Sequence, residues 1–222
     1  MKQVIKRIDK VSLQVKNILQ IYSQATENEL ISGRNWYNEA HQMVEAMAVK
    51  YNLTIVQTAG IISALSPGTS WSQNVIDANH LCTLLNDGKD IRSIVVTTYG
   101  NNRDKAYKIF CCPEYSEDQV FKLLLGASKS VNKTSSFFLN ILHPDIADIV
   151  TIDRHSIRVN LGVSEKLEIA LTEKRYRILS SAYKQASLKL ECNAIELQAI
   201  TWLVFRRLFV TVRKAEFEEA PF

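Results

Sequence analysis

The segment "LLLGASKSVNKTSSFFLNILHPDIADIVTIDRHSIRV", residues 123 to 159, contains a helix end, a polar turn and two helix starts. The first helix is predicted to end at Gly126, because glycine readily adopts the left-handed backbone that closes many helices. A turn of small polar residues, 127 to 130, follows, and the next helix is predicted to begin near Val131 or Asn132. Pro144 should interrupt it, since proline cannot continue a helix. The segment therefore predicts a helical hairpin.

The β-branched run at 150 to 152 leads directly into Asp153, and a short helical pattern then extends to Gly162. The simpler interpretation of Asp153 is an N-cap, whose carboxylate accepts hydrogen bonds from the first helical turn. The alternative is a catalytic carboxylate that also caps. The hairpin is likewise open to two interpretations. It is either an ordinary solvated turn or a phosphate site, because a helix N-terminus presents free N–H groups and a positive dipole end.

The remaining sequence favours helices, because 7 glycines and 4 prolines are few breaks for 222 residues. Helix starts are marked by capping boxes at Thr54, Ser70 and Asn193, and Ser116 precedes another apolar helical pattern. The stretches 93 to 98 and 148 to 152 resemble strands, but they are too short and isolated to form a sheet. We therefore predict an all-α protein of roughly ten helices.

Two helices are predicted at the start of the chain. Apolar residues recur at helical spacing over 2 to 24, with lysines between them. A second helix is predicted from about Arg34 to Lys50, after a break at Ser32–Gly33. Trp71 and Trp202 are expected to pack in the core, which is the commoner place for tryptophan in a helical protein.

The composition argues against several classes of protein. A net charge of +4 is compatible with a polyanionic partner without proving one. There is no apolar run long enough to span a bilayer and no secretory pattern at Met1, which predicts a cytoplasmic protein away from membranes. The four cysteines include no C-x-x-C pair, and the histidines have no metal-binding spacing. We therefore expect no metal, iron–sulfur cluster or other cofactor.

Four motifs, in this order, resemble the helix-hairpin-helix DNA glycosylase superfamily of the endonuclease III, MutY and AlkA type. "IISALSPGTSWSQNV", 61 to 75, is similar to the family's helix that ends in Leu-Ser before its duplex-inserting loop. "TTYGNNRDKAYKIF", 97 to 110, is similar to its Gly-x-x-x-x-Lys-Ala helix start. Lys133–Thr134 match its Lys-Thr-Ala-like start, and residues 153 to 158 match its D-x-H-x-x-R motif. The resemblance covers roughly residues 55 to 162.

The resemblance implies a fold and a division of the chain. It implies a two-lobed helical bundle with a cleft between the lobes, formed by residues 1 to 222 as one glycosylase-like unit. Residues 55 to 130 would form the central lobe, and residues 1 to 54 with 131 to 222 would form the second lobe, which carries Asp153. The chain departs from the family in its hairpin, where Gly126 stands alone in place of a Gly-x-Gly pair. It also departs at Arg154, where the family commonly has a small polar residue.

The resemblance also implies the residues of an active site. Asp153 would be the catalytic carboxylate and Lys133 a possible nucleophile for a lyase step. Asn74 would hydrogen-bond the Asp153 region or the hairpin. The residues expected to contact DNA are Gly126, Ser128, Lys129, Ser130, Asn132, Arg154, His155 and Arg158. The residues expected to invade the duplex or to line the base pocket are Pro67, Gly68, Thr69, Ser70, Trp71 and Asn74.

The function that follows is hydrolysis of the N-glycosidic bond of a flipped, damaged or modified base in double-stranded DNA, by a monomeric enzyme with possible lyase activity. A carboxylate beside C1′ suits this chemistry, because breaking the bond builds positive charge on the sugar. Two alternatives stay open. One is an enzyme of viral DNA hypermodification on the same scaffold, which exchanges a base substituent. The other is a DNA-binding module without catalytic activity.

Overall fold

A computed structural model of the protein describes residues 10–127, 130–145, 149–165, 169 and 171–209. All regular structure in these residues is helical, which confirms the all-α prediction. A short 3₁₀ helix, Ile91–Ser93, follows the fourth α-helix. The α-helices, in chain order, are α1 (Val11–Tyr22), α2 (Glu27–Tyr51), α3 (Ile55–Leu65), α4 (Trp71–Asn86), α5 (Gly100–Phe110), α6 (Glu117–Leu125), α7 (Lys133–Leu142), α8 (Arg154–Leu161), α9 (Glu173–Leu190) and α10 (Ala194–Phe209).

Most helix starts lie where the capping residues predicted them. Thr54 and Ser116 each accept a hydrogen bond from the backbone N–H three residues on, and both complete capping boxes. Asn132 does the same for α7, which places the second hairpin helix one residue after the cap. Gly126 ends α6 with a φ of 71°, a left-handed value that favours glycine. The local hydrogen-bonding chemistry of these side chains therefore fixes the element boundaries.

The prediction for the second helix is wrong at its start. Helix α2 begins at Glu27, after a capping box in which Thr26 and Glu29 bond each other's backbone N–H groups, and it continues through Gly33. A Cβ added at Gly33 would lie 2.7 Å from Cα of Ile200, so the glycine is required by close approach of α10. Of the helix predicted over residues 2 to 24, Val11–Tyr22 is observed, and residues 2 to 9 lie outside the described part.

The described residues of the strand-like stretch before Asp153, 149 to 152, belong to no helix and pair with no strand in the described part of the chain. Their backbone N–H groups bond to side chains instead. That of Val150 donates to Oγ of Ser180 (3.0 Å), and that of Ile152 donates to Oη of Tyr176 (2.8 Å). The N–H of Thr151 donates to Oδ1 of Asn140 at 3.0 Å. Side chains of α7 and α9 thus replace a neighbouring strand, and they hold the backbone that leads into Asp153.

The helices pack around two central elements. Helix α3 packs against α2 and α4 to α7, whereas α10 packs against α1, α2, α8 and α9. Helix α2 contacts both α3 and α10, so it joins the two sets. Every residue of α3 from 57 to 65 is buried, as expected for a helix surrounded by others. Among the described helices, none is long and apolar enough to cross a membrane.

Candidate active site

A cavity of about 530 Å³ lies among six parts of the fold. Its walls come from α2, the turn between α3 and α4, the first turn of α4, the starts of α7 and α8, and α10. The predicted residues that line it are Pro67, Gly68, Thr69, Ser70, Trp71, Asn74, Lys133, Asp153, Arg154 and His155. Segments that are distant in sequence therefore meet at one concave site.

Asp153 is the N-cap of α8, as predicted. Its Oδ1 accepts hydrogen bonds from the backbone N–H groups of His155 (2.9 Å) and Ser156 (2.7 Å). The same oxygen accepts a third bond from Oγ of Ser156, at 2.9 Å. These bonds fix the orientation of the carboxylate, and its second oxygen lies toward α10. The capping and cavity-lining roles coexist in one side chain.

The second carboxylate oxygen is also bonded, by a residue that the sequence did not identify. Nε1 of Trp202 donates to Oδ2 of Asp153 at 3.0 Å, and the half-buried Trp202 lines the cavity. Its expected place in the core is therefore wrong. Trp202 lies four residues after Gln198 and three residues before Phe205, so it shares a face of α10 with these two buried residues. No feature of the local sequence shows that the indole N–H faces a carboxylate in another helix.

A chain of buried hydrogen bonds supports Asp153 from behind. Oη of Tyr37 donates to Oε1 of Gln198 at 2.8 Å, and Nε2 of Gln198 donates to Oγ of Ser156 at 3.2 Å. Ser156 then donates to Asp153. The chain links α2, α10 and α8, so the position of the carboxylate depends on the packing of three helices.

The surroundings of Asp153 favour its ionised form. Burial acts to raise the pKa of the carboxyl, but the charges of His155 and Lys133 and the hydrogen bonds from Ser156 outweigh it. The pKa therefore lies below its ordinary value of 3.8. At neutral pH the site holds a fixed negative charge.

Lys133 is the first residue of α7, and its side chain enters the same cavity. Its Nζ donates a hydrogen bond to the backbone carbonyl of Ser66 at 3.2 Å, which ties α7 to the end of α3. Burial lowers the pKa of this ammonium. The negative charge of Asp153 opposes the shift, and the positive charge of Arg154 adds to it. At a given pH, the uncharged amine of Lys133 is thus more populated than that of an exposed lysine.

An aromatic wall forms one side of the cavity. It consists of Trp36, Trp71 and Phe137, with ring centroids 5.3 Å apart for the tryptophan pair and 6.1 Å apart for Trp71 and Phe137. Trp71 is partly exposed to the cavity and packs against the core at the same time. The wall offers apolar surface of the kind that stacks on planar rings.

Three buried polar atoms beside this wall have no hydrogen-bond partner in the described part of the chain. They are Oγ of Ser66, Oγ1 of Thr69 and Oδ1 of Asn74. Asn74 is only 2% exposed and lines the cavity. Within the described residues, no hydrogen bond joins the side chain of Asn74 to Asp153 or to the hairpin, and its role in bonding them stays a prediction. Oδ1 of Asn74 is therefore a buried, unpaired acceptor in the wall of the cavity.

A cluster of positive side chains surrounds α8 and the end of α10. The guanidinium of Arg158 lies 4.6 Å from the centroid of Phe205, and that of Arg206 lies 4.7 Å from the centroid of Trp202. Nε of Arg154 donates to Nε2 of the buried His155 at 3.3 Å. Arg154 and Arg206 line the cavity, whereas Arg158 does not.

The described residues of the hairpin, 126, 127 and 130 to 132, do not line the cavity. Nδ2 of Asn132 donates to the carbonyls of Leu125 and Ser130, both at 3.2 Å, so this side chain closes the turn as well as capping α7. Gly126 and Ser130 likewise lie away from the cavity lining. Ser128 and Lys129 lie outside the described residues. Phosphate contacts by this turn stay a prediction.

Comparison with known proteins identifies a family. Residues 2–209 match a family of unknown function, DUF7178, and the chain belongs to that family. No curated protein and no solved structure matches the chain. Among the described residues there is no group of three or more His, Cys, Asp or Glu side chains that could hold a metal ion.

Proposed function

We propose that this member of the DUF7178 family is a DNA base glycosylase, with Asp153 as its catalytic carboxylate. The observation that carries the proposal is the convergence at one cavity. An ionised, fixed carboxylate, a half-buried lysine and a group of aromatic rings line it together. The first two come from the motifs that resemble the helix-hairpin-helix glycosylases, and they are contributed by different helices.

The carboxylate suits electrostatic stabilisation better than base catalysis. When the N-glycosidic bond breaks, its electron pair leaves with the base, and positive charge develops at C1′ and the ring oxygen of the sugar. Asp153 would stabilise that charge, because it is ionised and held in place by four hydrogen bonds. A water molecule then attacks C1′ and loses its proton, which restores the enzyme. A carboxylate with a lowered pKa is a weak acceptor for that proton, so the proton passes through solvent to the departing base, which is released in its neutral, protonated form.

Lys133 supports a second, lyase step on the same scaffold. An uncharged amine can attack C1′ of an abasic sugar and form a Schiff base with loss of water. Burial shifts Lys133 toward the uncharged form, and Asp153 stands in the same cavity. We propose that Lys133 takes this role when the sugar reaches it.

Double-stranded DNA is the proposed partner of a monomeric enzyme. Arg154 and Arg206 would bind phosphates at the mouth of the cavity, and Arg158 would bind a phosphate further along α8, since guanidinium groups match phosphate geometry. The turn at 67 to 71 would enter the duplex while the target base leaves the stack, a step that costs a few kcal/mol. On this proposal, residues 55 to 130 form one lobe, residues 1 to 54 with 131 to 222 form the other, and the cleft lies between them.

Mass spectrometry of treated DNA tests the proposal. Purified protein is incubated with duplexes that contain uracil, hypoxanthine, 8-oxoguanine or alkylated bases, and with heavily modified viral genomes. A free base in solution and alkali-labile sites in the DNA support the glycosylase. An altered nucleoside that stays in the DNA indicates a hypermodification enzyme instead. Salt-sensitive binding without any product indicates a DNA-binding module.

A further inference from the structure

We propose that the cavity selects a neutral base with an intact donor–acceptor edge, that Asn74 reads this edge, and that cationic alkylated bases are excluded. This inference rests on the proposed function, because it names the class of base that the same site would accept. The inference depends on Oδ1 of Asn74, which has no hydrogen-bond partner in the described part of the chain, and on the charges around the cavity.

The unpaired amide needs an explanation. A buried polar atom without a partner costs about 1–3 kcal/mol. Oδ1 of Asn74 is such an atom, and Ser66 and Thr69 add two buried hydroxyl oxygens of the same kind to the same wall. Neighbouring residues of α4 do not share this feature, since Gln73 bonds Asp77 at 2.8 Å and Asn79 bonds the carbonyl of Val75 at 2.9 Å. Polar groups left unpaired beside a cavity are suited to bind a ligand that completes their hydrogen bonds.

The chemistry of an amide defines the ligand edge. Asn74 offers an acceptor oxygen and donor hydrogens in one plane. This pattern is complementary to an N–H beside a carbonyl, as in uracil or hypoxanthine, and to an amino group beside a ring nitrogen, as in adenine. The wall of Trp36, Trp71 and Phe137 lies next to it and offers apolar surface to the face of the ring. The edge and the face of one planar base would therefore be bound together.

The charges around the cavity disfavour a cationic base. Arg154 and Arg206 carry permanent positive charges, and among the described residues that line the cavity Asp153 is the single acidic one. The ring of Trp202, which would attract a cation, already carries the guanidinium of Arg206 at 4.7 Å. A base alkylated at N7 or N3 carries a positive charge, so it would meet repulsion from these two guanidinium groups, which the carboxylate of Asp153 and the wall of Trp36, Trp71 and Phe137 would offset only in part.

Binding to uncleavable duplexes tests this inference apart from catalysis. Three duplexes carry a single 2′-fluoroarabino nucleotide whose base is uracil, hypoxanthine or cationic 7-methylguanine. We expect the wild-type protein to bind at least one neutral-base duplex roughly tenfold or more tightly than the 7-methylguanine duplex. The substitution Asn74→Ala should weaken binding to the preferred neutral-base duplex by about 10- to 100-fold, as for loss of a bidentate base contact. Asn74→Leu, which keeps an apolar side chain of similar size, should do the same.

Asn86→Ala is the matched control, because Asn86 lies on the same helix, is exposed and does not line the cavity. It should bind like wild type. Thermal unfolding should show no loss of stability for Asn74→Leu, since the protein itself leaves Oδ1 of Asn74 unpaired. Equal affinity of wild type and both Asn74 variants, or a preference for 7-methylguanine, overturns the inference. Selective binding here, with no base released from the cleavable substrates of the mass-spectrometric test, supports the inference while refuting the glycosylase, and no binding to any duplex refutes both.

Discussion

Replacing Asp153 should affect stability by an amount that depends on which of its hydrogen bonds survive. Asparagine keeps a side-chain oxygen for the backbone N–H groups of His155 and Ser156, so it still caps α8. Its amide nitrogen cannot accept a bond from Nε1 of Trp202, which loses its partner. Alanine loses the cap as well, and it leaves Oγ of Ser156 without its acceptor.

The magnitudes follow from these losses. The bond from Trp202 to a carboxylate is worth about 1.5–3 kcal/mol. Removing a buried charge offsets part of that loss. We therefore expect Asp153→Asn to lower the free energy of unfolding by about 1–2 kcal/mol. Asp153→Ala adds loss of the cap, about 1–2 kcal/mol, and an unsatisfied hydroxyl, which gives a total of about 3–5 kcal/mol.

Urea unfolding followed by circular dichroism measures these differences. Ser116→Ala is the matched control, because Ser116 caps α6 at the surface and its loss should cost about 1 kcal/mol. We expect the order wild type, Asp153→Asn, Asp153→Ala from most to least stable. If Asp153→Ala costs no more than Ser116→Ala, the carboxylate is not part of a connected network and the description of its supports is wrong.

Three further outcomes are expected. Gly33→Ala should destabilise the fold by about 1–3 kcal/mol in the same urea assay, because the new Cβ would overlap the backbone of Ile200. This loss should exceed the gain that alanine usually gives inside a helix. Unchanged stability would show that α10 can move away. Burial, together with Arg154 and other nearby arginines, lowers the pKa of His155 in the fold, whereas Asp153 opposes this shift. The unfolded state therefore binds more protons as pH falls below the ordinary 6.5, and the free energy of unfolding should decline between pH 7 and 5 in wild type but less in His155→Gln. Borohydride trapping on abasic DNA should rise with pH with a midpoint below the ordinary lysine pKa of 10.5 and vanish in Lys133→Gln; trapping that survives this substitution would place the amine elsewhere.

The sequence predicted features that local chemistry decides. The caps at Thr54, Ser116 and Asn132 begin helices because each side chain bonds a backbone N–H within its own first turn. The helix start at Asp153 follows the same rule. These signals depend on residues a few positions apart, so they can be read without knowledge of the packing.

The features that the sequence did not predict depend on contacts between distant helices. Gly33 suggested a helix break, but its role is to admit Ile200. Trp202 was expected in the core, and its indole N–H instead bonds a carboxylate of α8. The unpaired state of Asn74 also becomes visible only when the whole wall of the cavity is assembled. Each of these depends on a partner far along the chain, which helical periodicity does not identify.

Single-turnover base release by wild type and Asp153→Asn tests the central claim most directly. Both proteins are saturated with the same DNA substrate, and binding is measured on the same samples. We predict that wild type releases a base, while Asp153→Asn binds equally well and releases it about a hundredfold more slowly or not at all. Equal rates for the folded variant and wild type would remove Asp153 from the chemistry and contradict the proposed mechanism.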